Sequence, residues 1–78
     1  MPNVTMYSTS WCGFCHRARR FLDDHEVTYT EIDIEEHEEA ALRVEQWNRG
    51  NRTVPTFDID GNIYTNPSPA QLSELLGL

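Results

Sequence analysis

The sequence predicts an α/β domain whose elements run βαβαββα. Two observations carry that order. A strand, a helix, a second strand and a second helix alternate along the first fifty residues, the pattern of parallel strands joined by a right-handed crossover. Two short β runs joined by Asp60-Gly61-Asn62 and a closing helix with a capping-box start then complete the chain.

Asn3 to Tyr7 alternates apolar with polar residues and ends in a Ser/Thr turn, which predicts a strand running into Cys12. From Cys12 to about Asp24, Cys15, Ala18, Phe21 and Leu22 recur at helical spacing with arginines on the other faces. Val27 to Ile34 alternates with period two and is rich in branched and aromatic residues, hence a second strand. The second helix is expected near Glu35 with Asp33 as its cap. It lines up Ala40, Ala41, Val44 and Trp47 on one face and stops at Gly50. Thr56 to Ile59 and Ile63 to Thr65 form the hairpin. Ser68 with Gln71, and Pro69 at the first helical position, open a last helix with Leu72, Leu75 and Leu76 on one face.

At 78 residues the chain is long enough for one small domain, expected to span residues 1–78. Its two cysteines are separated by two residues and would close a very short loop if bridged, so they suit chemistry better than structural stapling. The N-terminal stretch lacks a basic region and a long apolar core, and no segment has the length of a membrane span; a reducing cytoplasm is the expected location. In that setting the sequons at Asn3 and Asn51 carry no meaning. A net charge of −7 argues against nucleic acid, whose phosphates it would repel. All six basic residues are Arg, three of them at Arg17, Arg19 and Arg20, while six of the nine residues from Glu31 to Glu39 are acids. That acidic run reads as a solvated face, with a weak hint that partners carry basic surface.

The chemistry concentrates in Ser10-Trp11-Cys12-Gly13-Phe14-Cys15-His16. A C-x-x-C followed by His fits a redox dithiol, half of a zinc site or a haem attachment signal. Haem would need a distal ligand, and no Met lies beyond Met6; zinc would need a second ligand pair, and His25 and His37 stand at no matching spacing, leaving only a metal shared between two chains. A dithiol delivered by a strand to a helix N-terminus has a direct purpose. The free N–H groups and the positive dipole end stabilise a thiolate, so Cys12 is expected to ionise readily and attack, with Cys15, one turn on, more buried and able to resolve. Gly13 permits close approach of a substrate, and Phe14 offers either an apolar surface or helix packing. His16 reads as a solvent-facing first-turn residue, with general base the lesser alternative. Downstream, Thr53-Val54-Pro55-Thr56 places Pro before a strand, where it restricts Val54 to an extended conformation.

Taken together, Met6-Tyr7-Ser8, Trp11-Cys12-Gly13-Phe14-Cys15, Thr53-Val54-Pro55 and Asp60-Gly61 resemble the glutaredoxin branch of the thioredoxin-fold family over essentially the whole chain. Gly50-Asn51-Arg52-Thr53-Val54-Pro55-Thr56 and Thr65-Asn66-Pro67-Ser68 are similar to segments of the mycoredoxins. The resemblance implies a thioredoxin-like fold, a four-stranded mixed sheet flanked by three helices. It also implies a cis Pro55 facing the dithiol and a Val54 backbone left free for substrate. Trp11, Gly13, Phe14, Arg52, Thr53, Val54, Pro55, Asn66 and Ser68 become candidate thiol-binding residues. For three side chains the reading keeps a plainer alternative: Ser68 as a helix cap, Arg52 as a solvated side chain, Trp47 as core. Glutathione users of the family usually have Lys where Thr9 stands and Gly-Gly where Thr65-Asn66 stand, so mycothiol or bacillithiol is the favoured thiol.

The expected activity is reduction of mixed disulfides between proteins and a low-molecular-weight thiol, with Cys12 as nucleophile. The small thiol is then a co-substrate, and no metal, flavin or nicotinamide is expected to bind tightly. The partners expected are thiolated or disulfide-containing proteins and a thiol–disulfide reductase system, with no nucleic acid or membrane, and the chain acts as a monomer. One rival is a thioredoxin-like dithiol donor fed directly by a flavoprotein reductase, although Phe14 stands where that motif has Pro. Another is a module that holds an iron–sulfur cluster or metal between subunits through Cys12.

Overall fold

In the computed structural model, which describes residues 2–78, seven elements follow the expected order. They are β1 (Val4–Ser8), α1 (Gly13–Asp24), β2 (Thr30–Asp33), α2 (Glu38–Trp47), β3 (Thr56–Ile59), β4 (Asn62–Thr65) and α3 (Pro69–Leu76). The strands form one sheet in the order β2-β1-β3-β4. β1 pairs parallel with β2 and antiparallel with β3, and β3 pairs antiparallel with β4, which makes the sheet mixed.

Alternation along β1 sorts the core into two layers. Val4 and Met6 face Ala18 and Leu22 of α1 and Leu72 of α3, together with Phe57 and Ile59, their partners in register on β3. Tyr7 points to the other face and packs with Ala40, Ala41 and Val44 of α2, and with Ile34. The central strand is therefore covered on both sides, and its C-terminal end is held where the chain turns into Cys12. Trp47 closes the second layer, half-buried and edge-to-face on Tyr7 with ring centroids 5.4 Å apart, so it packs against the core.

Several boundaries differ from the sequence expectation for local reasons. β1 runs one residue later, to Ser8. Cys12 is the N-cap of α1 and not its first helical residue. β2 starts at Thr30 because α1 ends in a Schellman-type turn: Glu26 is left-handed at φ 55°, and the Val27 N–H returns to the Leu22 carbonyl at 2.9 Å. Val27 and Tyr29 do point inward, as their period suggested, but β1 offers its first parallel partner at Thr5, opposite Thr30. α2 begins at Glu38 because Asp33 caps a separate turn, its carboxylate accepting the Glu35 N–H at 2.9 Å and its carbonyl the Glu36 N–H at 3.1 Å. The α2 N-cap, His37, makes no side-chain cap bond. Asn62 belongs to β4, leaving a two-residue turn in which Asp60 and Gly61 both have positive φ, as the type I′ hairpin requires. At α3 the capping box forms as read: Ser68 Oγ accepts the Gln71 N–H at 3.2 Å and the Gln71 side chain accepts the Ser68 N–H at 2.8 Å.

One polar cluster ties α1 to the sheet. Ser8, 1% exposed, donates its hydroxyl to Glu31 Oε2 at 2.8 Å, while Arg19 donates Nε to Oε1 at 2.8 Å and pairs through Nη2 with Oε2. The Arg19 guanidinium, helped by Ser8 and opposed by partial burial, holds the Glu31 carboxyl below its ordinary value. A carboxyl depressed on folding contributes stability above its unfolded pKa and loses it as pH falls through the folded value. Glu31→Gln should therefore cost about 1 kcal/mol at neutral pH, allowing for solvent screening. Urea unfolding at pH 7 and again at pH 3 should show the variant and wild type converging in acid; an equal gap at both would show that charge is not the cause.

Candidate active site

Cys12 occupies the N-cap of α1 in an extended conformation, φ −79° and ψ 112°, and its sulfur accepts the Cys15 N–H at 3.1 Å. A helix start leaves its first N–H groups without backbone partners, so a sulfur at that position receives a donor suited to negative charge. The same sulfur lies 3.7 Å from the Val54 carbonyl, to which the thiol can donate. The Val54–Pro55 peptide bond is cis. The two segments singled out in the sequence, separated by 42 positions at this contact, thus meet at one atom.

Both cysteines are free thiols. Cys15 is fully buried, on the core side of α1 with Ala18 and Leu22, and Cys12 is 5% exposed. Burial first, and then the neighbouring Cys12 sulfur, push the Cys15 thiol up to about 12, against a smaller opposite effect of a Thr9 backbone hydrogen bond. Cys15 is thus the more deeply placed of the two thiols, although Cys12 is also enclosed. Around it Trp11 and Phe14 are 71% and 54% exposed, and the Arg17 guanidinium sits 5.2 Å from the Phe14 ring centroid. Phe14 is therefore surface and not helix packing. A Cβ at Gly13 would meet no atom within 4 Å, so the space beside it stays open to an approaching group.

The loop opposite is braced from several directions. Thr53 offers its carbonyl to Thr56 Oγ1 at 2.7 Å, Val54 packs against the α2 layer, and the Pro55 carbonyl accepts the Asn66 N–H at 2.8 Å. Asn48, which the sequence reading passed over, donates to Thr56 Oγ1 at 3.1 Å and accepts from Thr65 Oγ1 at 2.5 Å, linking the end of α2 to β3 and β4. Thr53, Val54, Pro55 and Asn66 are thus drawn together. Ser68 serves α3 as its cap, and Arg52 is bonded to Glu38 at 2.9 Å and Glu45 at 2.5 Å on α2. The Thr9 hydroxyl is buried and has no hydrogen-bond partner among the described residues, which the sequence had marked only as the absence of Lys.

The histidines do not assemble with the thiols. His25 lies on Phe21 with ring centroids 4.4 Å apart, His37 starts α2, and His16 bonds Ser10 and Arg19. Among the described residues no group of three or more metal-ligating side chains comes together, and none of the helices is long and apolar enough to cross a membrane. A groove of about 480 Å³ opens at the other end of β1, lined in part by Asn3, Val27, Tyr29 and Leu76, and contains neither cysteine.

A family profile described as Glutaredoxin matches residues 4–64. The chain belongs to the glutaredoxin family. It is 45% identical over 74 residues to a Mycobacterium tuberculosis protein named as a glutaredoxin, covering 94% of this chain and 88% of that one. It is 44% identical over 73 residues to mycoredoxin 1 of Corynebacterium glutamicum, covering 92% and 90%. Among solved structures, a mutant form of a thioredoxin-like protein superposes with a TM-score of 0.85 at 26% identity, covering 99% of this chain and 97% of that one. The fold is thioredoxin-like, and this glutaredoxin is a thiol–disulfide oxidoreductase.

In this glutaredoxin the two sulfurs should react very differently. With its thiol pushed up to about 12 by burial, Cys15 holds its proton at neutral pH. Iodoacetamide at pH 7 should therefore place one label per folded chain, on Cys12 by peptide mapping, with Cys15 labelled only after unfolding. Labelling of Cys15 in the native protein at a rate comparable to Cys12 would contradict the asymmetry.

Proposed function

We propose that this glutaredoxin reduces mixed disulfides between proteins and a low-molecular-weight thiol, with mycothiol or bacillithiol favoured over glutathione. The observation that carries this reading is the unequal placement of the sulfurs: Cys12 capped by an N–H at the helix start, Cys15 buried beneath it and held protonated. Cys12, as thiolate, attacks the small-thiol sulfur of the mixed disulfide. The new bond joins Cys12 to the small thiol, the old bond breaks, and the protein leaves as a thiolate that takes a proton from water. A second small-thiol thiolate then attacks the Cys12–thiol disulfide, restoring Cys12 and releasing the symmetric small disulfide for a separate reductase. Cys15 supplies the alternative exit, attacking Cys12 to form the internal disulfide.

The binding rim in this reading is Trp11, Gly13 and Phe14 on one side and Thr53, Val54, Pro55 and Asn66 on the other. The Val54 N–H has no hydrogen-bond partner among the described residues and is the backbone group available to a substrate. Choice of thiol follows from the charges present. Arg52, the cation next to this loop in sequence, is already bonded to two glutamates, so a carboxylate-bearing thiol would have to compete with them. Together with Thr9 in place of a lysine, this counts against glutathione and supports the uncharged sugar thiol mycothiol most directly, bacillithiol carrying malate carboxylates of its own, in line with the relative named as a mycoredoxin. Ser68 keeps its hydroxyl hydrogen free to donate while its oxygen caps α3. The protein is proposed to act as a monomer in the cytoplasm.

The test compares wild type with Cys15→Ser on one carrier protein loaded with mycothiol, bacillithiol or glutathione, each with the matching free thiol as reductant. The variant should turn over, with kcat/KM for mycothiol or bacillithiol above that for glutathione by about tenfold, or ~1.4 kcal/mol of transition-state discrimination. A variant dead with all three thiols, beside a wild type that reduces ordinary protein disulfides, would sink this reading in favour of a thioredoxin-like dithiol donor.

A further inference from the structure

One set of polar contacts beside the dithiol has no part in the exchange chemistry. The His16 ring Nε2 lies 2.9 Å from the Ser10 carbonyl, and its Nδ1 lies 2.7 Å from Arg19 Nη1. A guanidinium carries donors only, so Nδ1 must be the acceptor of that bond. The ring hydrogen is then on Nε2, which donates to Ser10, and Arg19 sets the tautomer. Arg19 is fixed in turn by the Glu31 carboxylate, which also accepts from the buried Ser8 hydroxyl. A continuous run of hydrogen bonds thus leads from β1 through β2 and α1 to the carbonyl two residues before Cys12.

The loop that this run fixes is short and exposed at its most apolar point, with Trp11 71% exposed. Its other backbone tie, from the Cys12 N–H to the Thr9 carbonyl, is long at 3.4 Å. We propose that His16 is a positioning residue for exchange with protein disulfides, holding the Ser10–Cys12 loop so that the Trp11 ring and the Cys12 sulfur present one fixed surface to a protein substrate. His16 does not touch the reacting sulfur. A loop left unfixed must be ordered at the moment of binding, a cost that falls on a large substrate contacting Trp11 and not on a small disulfide that needs only the sulfur. The inference rests on Cys12 as the attacking sulfur of the mixed-disulfide reading.

The experiment uses two substrates, each reduced at the expense of excess mycothiol, that leave the same 2-hydroxyethylthio group on Cys12: serum albumin carrying 2-mercaptoethanol as a mixed disulfide, and bis(2-hydroxyethyl) disulfide. His16→Ala should raise KM for the loaded albumin about fivefold, the factor for one net hydrogen bond, with kcat within about twofold and the small disulfide unaffected. His16→Gln, which keeps an N–H for Ser10 and a carbonyl for Arg19, should restore KM. Amide exchange at Trp11 and Cys12 should quicken in the alanine variant alone. Equal KM values for wild type and His16→Ala, or equal losses on both substrates with a lowered melting temperature, would overturn the proposal. If wild type turned over the small disulfide but not the albumin, the mixed-disulfide reading would fail by itself. Amide exchange would then decide on His16, with unchanged rates counting against it.

Discussion

The hydrogen bond from the Cys15 N–H to the Cys12 sulfur is the contact on which the site depends. Ser, Thr, Asp and Asn are the usual N-caps because each brings an oxygen to the orphan N–H groups of the first turn. Here the cap is a sulfur, and in the proposed mechanism the group that ends the helix is also the group that attacks a disulfide. Such a cap is exposed to change whenever the sulfur forms a bond. α1 tolerates this because its position is set elsewhere, by the burial of Ala18 and Leu22 against β1 and β3 and by the Arg19–Glu31–Ser8 cluster. Core and polar tie hold the helix, so its position does not depend on its N-cap.

The sheet supplies the other half of the geometry. β1 is central and enclosed on both faces, so its end is rigid, and the antiparallel pairing of β1 with β3 brings the start of β3 beside it. That register sets Thr56 against Tyr7, and the residues just before Thr56 are therefore carried to the end of β1 where Cys12 follows. Asn48, Thr65 and Asn66 fasten the same loop from α2 and β4. The meeting of Cys12 with the Val54 carbonyl is thus a consequence of strand order, not of any affinity between the two segments.

What could be read in the sequence divides along the same line. The hairpin turn at Asp60-Gly61 and the α3 start at Ser68-Pro69 were legible because their chemistry is local: left-handed backbone at two adjacent positions, and a capping box closed within four residues. The beginnings of β2 and α2 were misplaced because each is decided by a partner outside the run that suggested it, Thr5 for Thr30 and a turn capped by Asp33 for the residues before Glu38. At the site, the nearness of Cys12 to Cys15 was legible from spacing, and that of Val54 and a cis Pro55 to them from resemblance. The roles of His16 and Asn48 were not, since the bonds that give them meaning reach Arg19 and Glu31 in one case and Thr56 and Thr65 in the other. A polar side chain carries no mark in sequence of the partner the fold will bring to it.

In the proposed mechanism the buried thiol gains a second significance once the first exchange step has occurred. While Cys12 is a thiolate, its charge and its hydrogen bond both oppose ionisation of Cys15. When Cys12 passes into a disulfide that charge leaves with the departing thiol, and both effects lapse. Burial remains, and it is the largest of the causes holding the Cys15 proton. Attack by Cys15 therefore becomes easier after the mixed disulfide forms but is still restrained by its fully enclosed position. A small thiol arriving from solvent need not leave the core, and it competes with Cys15 for the Cys12 sulfur. The competition between the two exits is thus set by how deeply α1 sinks its second cysteine into the core, a depth fixed by the same residues, Ala18 and Leu22, that hold the helix in place.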